Sequence, residues 1–379
     1  MKPQPFDFDT RPFIVIWETT QACDLACVHC RAEAQPLALP GELTHEEGVN
    51  LIDQVADLKV PVLVFSGGDP LKRKDLIPLI AYAKEKGLRV GTIPAATDLL
   101  TKEAVEELKR ARLDQMAMSL DFSTPEAHDG FRKTPGAFDK TMQAVQWAHE
   151  AELPLQINTV FTQENFDDVD QIIQLVKQLG VVFWEVFFLV PTGRGKDVKS
   201  LSAGQCEQIF AKLYQTSNQV DFIIKVTDAP HYRRFFLKKK MQEAGIDPAK
   251  LTWDGVTLPE PLRRVLGPRG TIGRAPMAVN AGKGHCFISH DGQVMPSGFL
   301  PVSAGNIRQA GLKELYQSEP IFQELRDLKQ LKGRCGACEY RFVCGGSRAR
   351  AFAVTGDYLE TEPTCAYVPR GFVLEEAQR

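Results

Sequence analysis

The sequence predicts an α/β protein: a partial (β/α)6 TIM-like barrel over residues 1–218, a linker or substrate-covering segment over 219–283, and a small cysteine-bearing C-terminal domain over 284–379. Three observations carry this. Short apolar runs alternate with helix-period stretches from about residue 12 to about residue 218, the signature of repeated strand–loop–helix units around a parallel sheet. That regularity weakens at about residue 219. Eight of the nine cysteines then fall toward the two ends of the chain, with only Cys206 between them.

Six strands are predicted: FIVIWE from Phe13, VPVLVFS from Val60, LRVGTI from Leu88, LDQMAMSL from Leu113, LPLQINTVF from Leu153 and VVFWEVFFLV from Val181. Helices fall between them. THEEGVNLIDQVADL opens with a capping box, Thr44 and Glu47, and TKEAVEELKRAR is capped by Thr101. Six units are too few to close an eightfold barrel but suffice for an open, curved one, with its chemistry on loops at the C-terminal ends of the strands. Beyond the sixth, one helix (HYRRFFLKKKMQEAG) precedes a Gly- and Pro-rich stretch containing GPRGTIGRAP. Arg233, Arg234, Lys238, Lys239 and Lys240 on that helix read as a solvated charged face. A hairpin-like HCFISHDGQVMPSGF and a cysteine-dense block complete the chain.

Apolar residues at 44% and charged residues at 25% mark an ordinary globular chain, and a net charge of -3 gives no field that would draw the whole molecule onto nucleic acid. The opening MKPQPFDFDT has acids and Pro where a signal peptide needs a basic start, and no apolar run is long enough to span a bilayer. A cytoplasmic protein without membrane or nucleic-acid partners is expected. In a reducing compartment the cysteines point to metal ligation rather than disulfides. Cys206, inside a helical pattern, reads as a small buried apolar side chain.

Directly after the first strand stands TTQACDLACVHCRAEA, with Cys23, Cys27 and Cys30 spaced C-x3-C-x2-C. Three thiolates can hold one corner of a 4Fe-4S cube and leave one iron open. Structural zinc would demand a fourth ligand, and His29, adjacent to Cys30, is poorly spaced to supply it. The motif, on the loop after the first strand of a partial barrel, resembles the radical S-adenosylmethionine (SAM) superfamily. That resemblance implies that the open iron binds the amino and carboxylate groups of SAM. Reductive cleavage then yields a 5'-deoxyadenosyl radical that abstracts a substrate hydrogen, while the protein positions the reactants and excludes water.

The second strand runs into SGGDP, similar to the family's GGEP segment with Asp69 in place of Glu. The resemblance assigns SAM contact to Gly67, Gly68, Asp69 and Pro70, the glycines letting backbone carbonyls approach the SAM ammonium. It also suggests Ser119 and Asp121 after the fourth strand, Arg132 as a partner of the SAM carboxylate, and Asn158 and Arg194 at the barrel mouth. Capping residues, a surface arginine and structural polar groups are the corresponding bland readings.

Near the C-terminus Cys335, Cys338, Cys344 and Cys365 are spaced C-x2-C-x5-C-x20-C, which by itself permits zinc or a fully ligated 4Fe-4S cluster. The block is similar to the auxiliary-cluster part of SPASM and twitch domains, which implies iron-sulfur. Relative to a full SPASM domain, Ser297 and Arg348 stand where cysteines are expected. One auxiliary cluster therefore follows, with Cys286 left as a buried thiol or a substrate-facing one.

HCRAEA, the single auxiliary cluster and the chain length look most like enzymes of alternative heme and heme d1 biosynthesis, implying modification or decarboxylation of a tetrapyrrole or other small molecule. Maturases of ribosomally made peptides share the cysteine architecture, but often carry an N-terminal leader-binding domain. Only about 11 residues precede the first strand here. An electron donor such as flavodoxin or ferredoxin is implied. A zinc-stabilised binding protein is the alternative from another class. No residue is singled out as catalytic.

Overall fold

Alternation in the first apolar run sends Val15 and Trp17 into the core, and the run forms strand β1 (Ile14–Glu18). In a computed structural model describing residues 6–247 and 279–373, β1 pairs in parallel with β2 (Val62–Ser66). The sheet continues in sequence order through β3 (Arg89–Thr92), β4 (Gln115–Ser119), β5 (Leu155–Phe161) and β6 (Phe183–Phe188). These are the six predicted strands. Helices such as α1 (His45–Asp57) and α2 (Leu76–Glu85) connect them and cover one face, enclosing Leu51, Ile52, Leu79 and Ile80. The result is the predicted partial barrel. Among the described residues no helix is long and apolar enough to cross a membrane.

The sheet extends beyond this at both edges. Residues expected to be linker form a seventh parallel strand, β7 (Ile223–Thr227), paired with β6. The strand is short, and Lys225 interrupts its apolar run, so its periodicity was weak in the sequence. At the other edge lie β8 (Asn280–Ala281), β9 (Gly284–Ile288) and β10 (Val294–Met295), with β9 parallel to β1 in the register Ile14↔His285. The C-terminal hairpin is thus part of the barrel's own sheet. The GPRGTIGRAP stretch lies outside the described residues.

The basic helix (His231–Glu243) is not the solvated face expected of it. Arg233 donates to Val343 O at 3.3 Å and Arg234 is ion-paired with Glu207, while Lys238 and Lys240 lie over aromatic rings. Cys286 sits on the outer face of β9 opposite Val15, both fully buried in the main core. It is a core thiol. Cys206 is likewise buried in that core.

Both predicted caps are present. Thr44 Oγ1 accepts from Glu47 N at 3.2 Å, and Glu47 Oε2 accepts from Thr44 N at 2.8 Å. Glu47 also receives Arg308 from the C-terminal region at 2.5 and 2.8 Å, so the cap is a docking point as well. Thr44→Ala should cost about 1 kcal/mol, read as a lowered urea midpoint with unchanged m-value.

Candidate active site

The segment between β1 and α1 carries Cys23, Cys27 and Cys30 and has almost no regular structure, so neighbouring strand ends must satisfy its backbone groups. The glycine segment does this first: Gly68 N donates to Thr20 O and Asp69 N to Ala22 O, each at 2.7 Å. A Cβ on Gly68 would stand 2.5 Å from Ala22 O and 2.6 Å from Gln21 O, so only glycine allows this approach. From the end of β6, Arg194 Nε donates to Cys27 O at 2.9 Å, its Nη1 to Ala34 O at 3.4 Å and its backbone N to Cys30 O at 3.0 Å. Arg194 clamps the cysteine loop.

The three cysteines border a cavity of about 160 Å³. Gly67, Gly68, Ser119 and Arg132 line it, so four of the predicted SAM contacts meet the cysteines there. Asp69, Pro70, Asp121, Asn158 and Arg194 do not. Asp69 is fully buried and accepts from Leu71 N, Ala95 N and Thr97 Oγ1, fixing the loop after β3, while Pro70 begins the adjoining 3-10 turn. Asp121 is buried beneath Arg132 and ion-paired with it; burial raises its carboxyl, but the Arg132 charge prevails and holds it below the usual range. Asn158 accepts from Gln156 at 2.6 Å. Asp69, Pro70, Asp121 and Arg194 act behind the cavity wall, and Asn158 stands beside Ser119 in the lumen.

The sequence reading missed Ile93–Ala96 after β3, Met118 and His128, which also line the cavity. Position was the available signal, since Ile93 follows a strand end just as the cysteine and glycine segments do. His29 lies flat on Phe131, with centroids 4.5 Å apart, and burial lowers its pKa to about 3. His29 also lines the cavity with the three cysteines.

Inside the half-barrel, Ser119, Asn158, Glu185 and Lys225 stand abreast on β4 to β7. Lys225 Nζ meets Glu185 at 2.8 Å, and Gln156 bridges Asn158 and Glu185 at 2.6 and 3.0 Å. At the end of β7, burial pushes the Asp228 carboxyl up to about 7, Arg350 opposing and Glu185 and Glu362 adding to the rise.

A second cavity is lined by all four C-terminal cysteines, Cys335, Cys338, Cys344 and Cys365. Arg350, 2% exposed, pairs with Glu362 at 3.1 Å and donates to Leu189 O and Phe188 O at 3.0 and 2.9 Å, tying this cavity's wall to the end of β6.

The donor sets fit iron-sulfur clusters. Three thiols on one cavity suit a cube with one free iron, and four on the other suit full ligation. Burial pushes the Cys23 thiol up to about 12 and that of Cys344 well above its ordinary value, so these sulfurs become thiolates against a strong counter-charge such as iron. Backbone N–H groups of Leu25, Tyr340 and Gly346 approach the sulfurs of Cys23, Cys338 and Cys344 at 3.3–3.4 Å, as donors do around cluster thiolates.

Residues 17–176 match the Radical SAM superfamily and residues 280–339 match SPASM, an iron-sulfur cluster-binding domain. The chain belongs to the radical SAM superfamily and is an iron-sulfur, SAM-dependent enzyme of it. Among named relatives, it is 40% identical to the AdoMet-dependent heme synthase of Methanosarcina barkeri over 94% of this chain and 97% of that protein. It is 27% identical to the PqqA peptide cyclase of Granulibacter bethesdensis over 97% and 90% respectively. The crystal structure of Streptococcus suis SuiB bound to S-adenosylmethionine shares the fold at a TM-score of 0.71 and 13% identity, covering 94% of this chain and 78% of that one.

Two outcomes follow. Arg194→Ala removes two guanidinium–carbonyl bonds, each worth about 1.5–3 kcal/mol, and should lower the iron retained after anaerobic reconstitution. The Asp228 carboxyl has a folded pKa raised to about 7, so its contribution to stability is fullest below the unfolded value and is lost as pH rises through about 7. Asp228→Asn should therefore stabilise the protein increasingly between about pH 4 and pH 7, read as the difference in apparent Tm between variant and parent across that range.

Proposed function

We propose that Cys23, Cys27 and Cys30 hold the SAM-binding 4Fe-4S cluster, that Cys335, Cys338, Cys344 and Cys365 hold a single auxiliary 4Fe-4S cluster, and that the enzyme modifies or decarboxylates a tetrapyrrole. The observation that carries the substrate is the 40% identity to an AdoMet-dependent heme synthase across nearly the full length of both chains. When bound, the reduced cluster supplies the electron that cleaves SAM to a carbon radical able to take a substrate hydrogen.

The chain's own residues arrange the rest. Arg132 directs Nη1 to Cys27 Sγ at 3.6 Å and is fixed from below by Asp121, which leaves its buried Nε without a partner at the cavity wall to receive the SAM carboxylate. Gly67 and Gly68 offer carbonyls to the ammonium, and Ser119 completes that wall. Asp69, Pro70 and Arg194 support these groups from outside the cavity, and Asn158 stands in the polar row beside Ser119. Toward β7, the paired Lys225 and Glu185 give the row a polar end able to hydrogen-bond the polar edge of a propionate-bearing ring. Flavodoxin or ferredoxin is the electron donor in this reading, and the enzyme is cytosolic.

The 27% identity to a peptide cyclase favours a second reading, a peptide substrate held in the same lumen. Incubating the reduced protein with SAM and an iron tetrapyrrole bearing propionates tests the choice by mass spectrometry. Loss of carboxyl groups as CO2 supports the tetrapyrrole; 5'-deoxyadenosine formed with no change in the ring points to the peptide. Anaerobically purified protein should be brown, with about eight irons per chain, whereas a colourless zinc protein would overturn the reading. Replacing Cys23, Cys27 and Cys30 with Ala should abolish 5'-deoxyadenosine formation and leave about four irons per chain.

A further inference from the structure

Arg348 is the residue that stands where a full SPASM domain would place a cysteine, and it is 1% exposed. Its guanidinium makes hydrogen bonds to three backbone carbonyls and one sulfur: Nε to Gly346 O at 3.3 Å, Nη1 to Tyr358 O and Glu360 O at 2.9 and 2.8 Å, and Nη2 to Cys335 Sγ at 3.5 Å. None of these acceptors is a carboxylate. Of the nearby acids, Glu362 binds Arg350, and Asp357 is bound to Lys332 at 2.5 Å and acts on Arg348 through space without a direct contact.

A guanidinium buried without a counter-ion is costly, so the fold must supply negative charge at Nη2. Cys335 Sγ is what stands there. Gly346 makes the approach possible, because a Cβ at that position would lie 2.2 Å from Arg348 Nη2 and 3.1 Å from Cys335 Sγ. Arg348 stands behind Cys335 rather than on the cavity lining; of the cations that line it, Arg234 is paired with Glu207 and Arg334 and Arg341 are only half-buried, while Arg233, on the Cys344 side, binds Val343 O and Val279 O and makes no hydrogen bond to a sulfur. His231, fully buried on the cavity wall, is kept neutral by burial at a pKa of about 3.

We infer that Arg348 is the fixed counter-charge of the C-terminal cluster, set against Cys335 Sγ, and that it raises the reduction potential of that cluster. This rests on the four-cysteine cluster reading above. A cluster on four thiolates is net negative and gains a further negative charge on reduction, so a resident cation at one ligand sulfur favours the reduced form.

The test uses full-length protein in which Cys23, Cys27 and Cys30 are Ala, so that the C-terminal cluster alone is observed by EPR during a dye-mediated redox titration. Arg348→Gln keeps hydrogen-bond donors without the charge; Arg348→Lys keeps the charge. The expected result is a roughly tenfold fall in the reduced-to-oxidised ratio at fixed potential for R348Q, equivalent to a midpoint lowered by about 59 mV, with R348K close to the parent. Loss of the cluster from R348Q and its retention in R348K also supports the assignment. An unchanged midpoint in R348Q, or loss of the cluster from both variants, overturns it. Should the parent itself hold no iron, the four-cysteine reading falls, and this inference with it.

Discussion

The loop that brings Cys23, Cys27 and Cys30 to one cavity has almost no regular structure of its own, and the organisation of the site follows from that constraint. The backbone between Glu18 and Thr44 makes few hydrogen bonds of its own, so its shape is imposed from outside. Gly68 and Asp69 supply N–H groups from β2, and Arg194 supplies a guanidinium and an N–H from the end of β6. Each anchor stands at the C-terminal end of a parallel strand. A half-barrel presents all these ends on one rim, which is why a loop following β1 can be gripped by residues much later in the chain.

The same rim joins the two cysteine cavities. Arg350 reaches from the wall of the C-terminal cavity to the carbonyls of Phe188 and Leu189, immediately before the segment carrying Arg194. Its pairing with Glu362 is almost fully buried, and removing one partner of such a pair typically costs about 3–5 kcal/mol. One short stretch of chain thus bears on both cavities. The polar row from Ser119 to Lys225 crosses the lumen between the first cavity and β7.

What was legible in the sequence was local. The cysteine spacings, the glycine pair and the Thr44–Glu47 cap concern residues within a few positions of each other, so their chemistry shows in the string of letters. Asp69 was visible as part of a motif, yet its work is done with Ala95 and Thr97, which belong to another loop. Arg194 was recognisable as a barrel-mouth residue, but its partners Cys27 and Ala34 lie far back in the chain. β7 was hidden because a strand that lines a polar lumen places Lys225 and Thr227 on its inner face, breaking the apolar run that marks its neighbours. The solvated reading of the basic helix failed for a related reason: the groups that draw Arg233 and Arg234 inward, Val343 O and Glu207, come from other elements.

The pairing of β9 with β1 has a consequence for how the chain is made. The first strand to leave the ribosome acquires one of its two neighbours only after nearly three quarters of the sequence has followed, which gives the fold a high contact order and a long wait with an open edge. Until then, the exposed N–H and C=O groups of β1 are a template for any other extended segment. Addition of β9 is therefore also the step that covers the β1 edge of the half-barrel. A chain shortened before Asn280 would keep the first cysteine motif intact and still present a naked sheet edge, so the C-terminal region cannot be regarded as a detachable accessory.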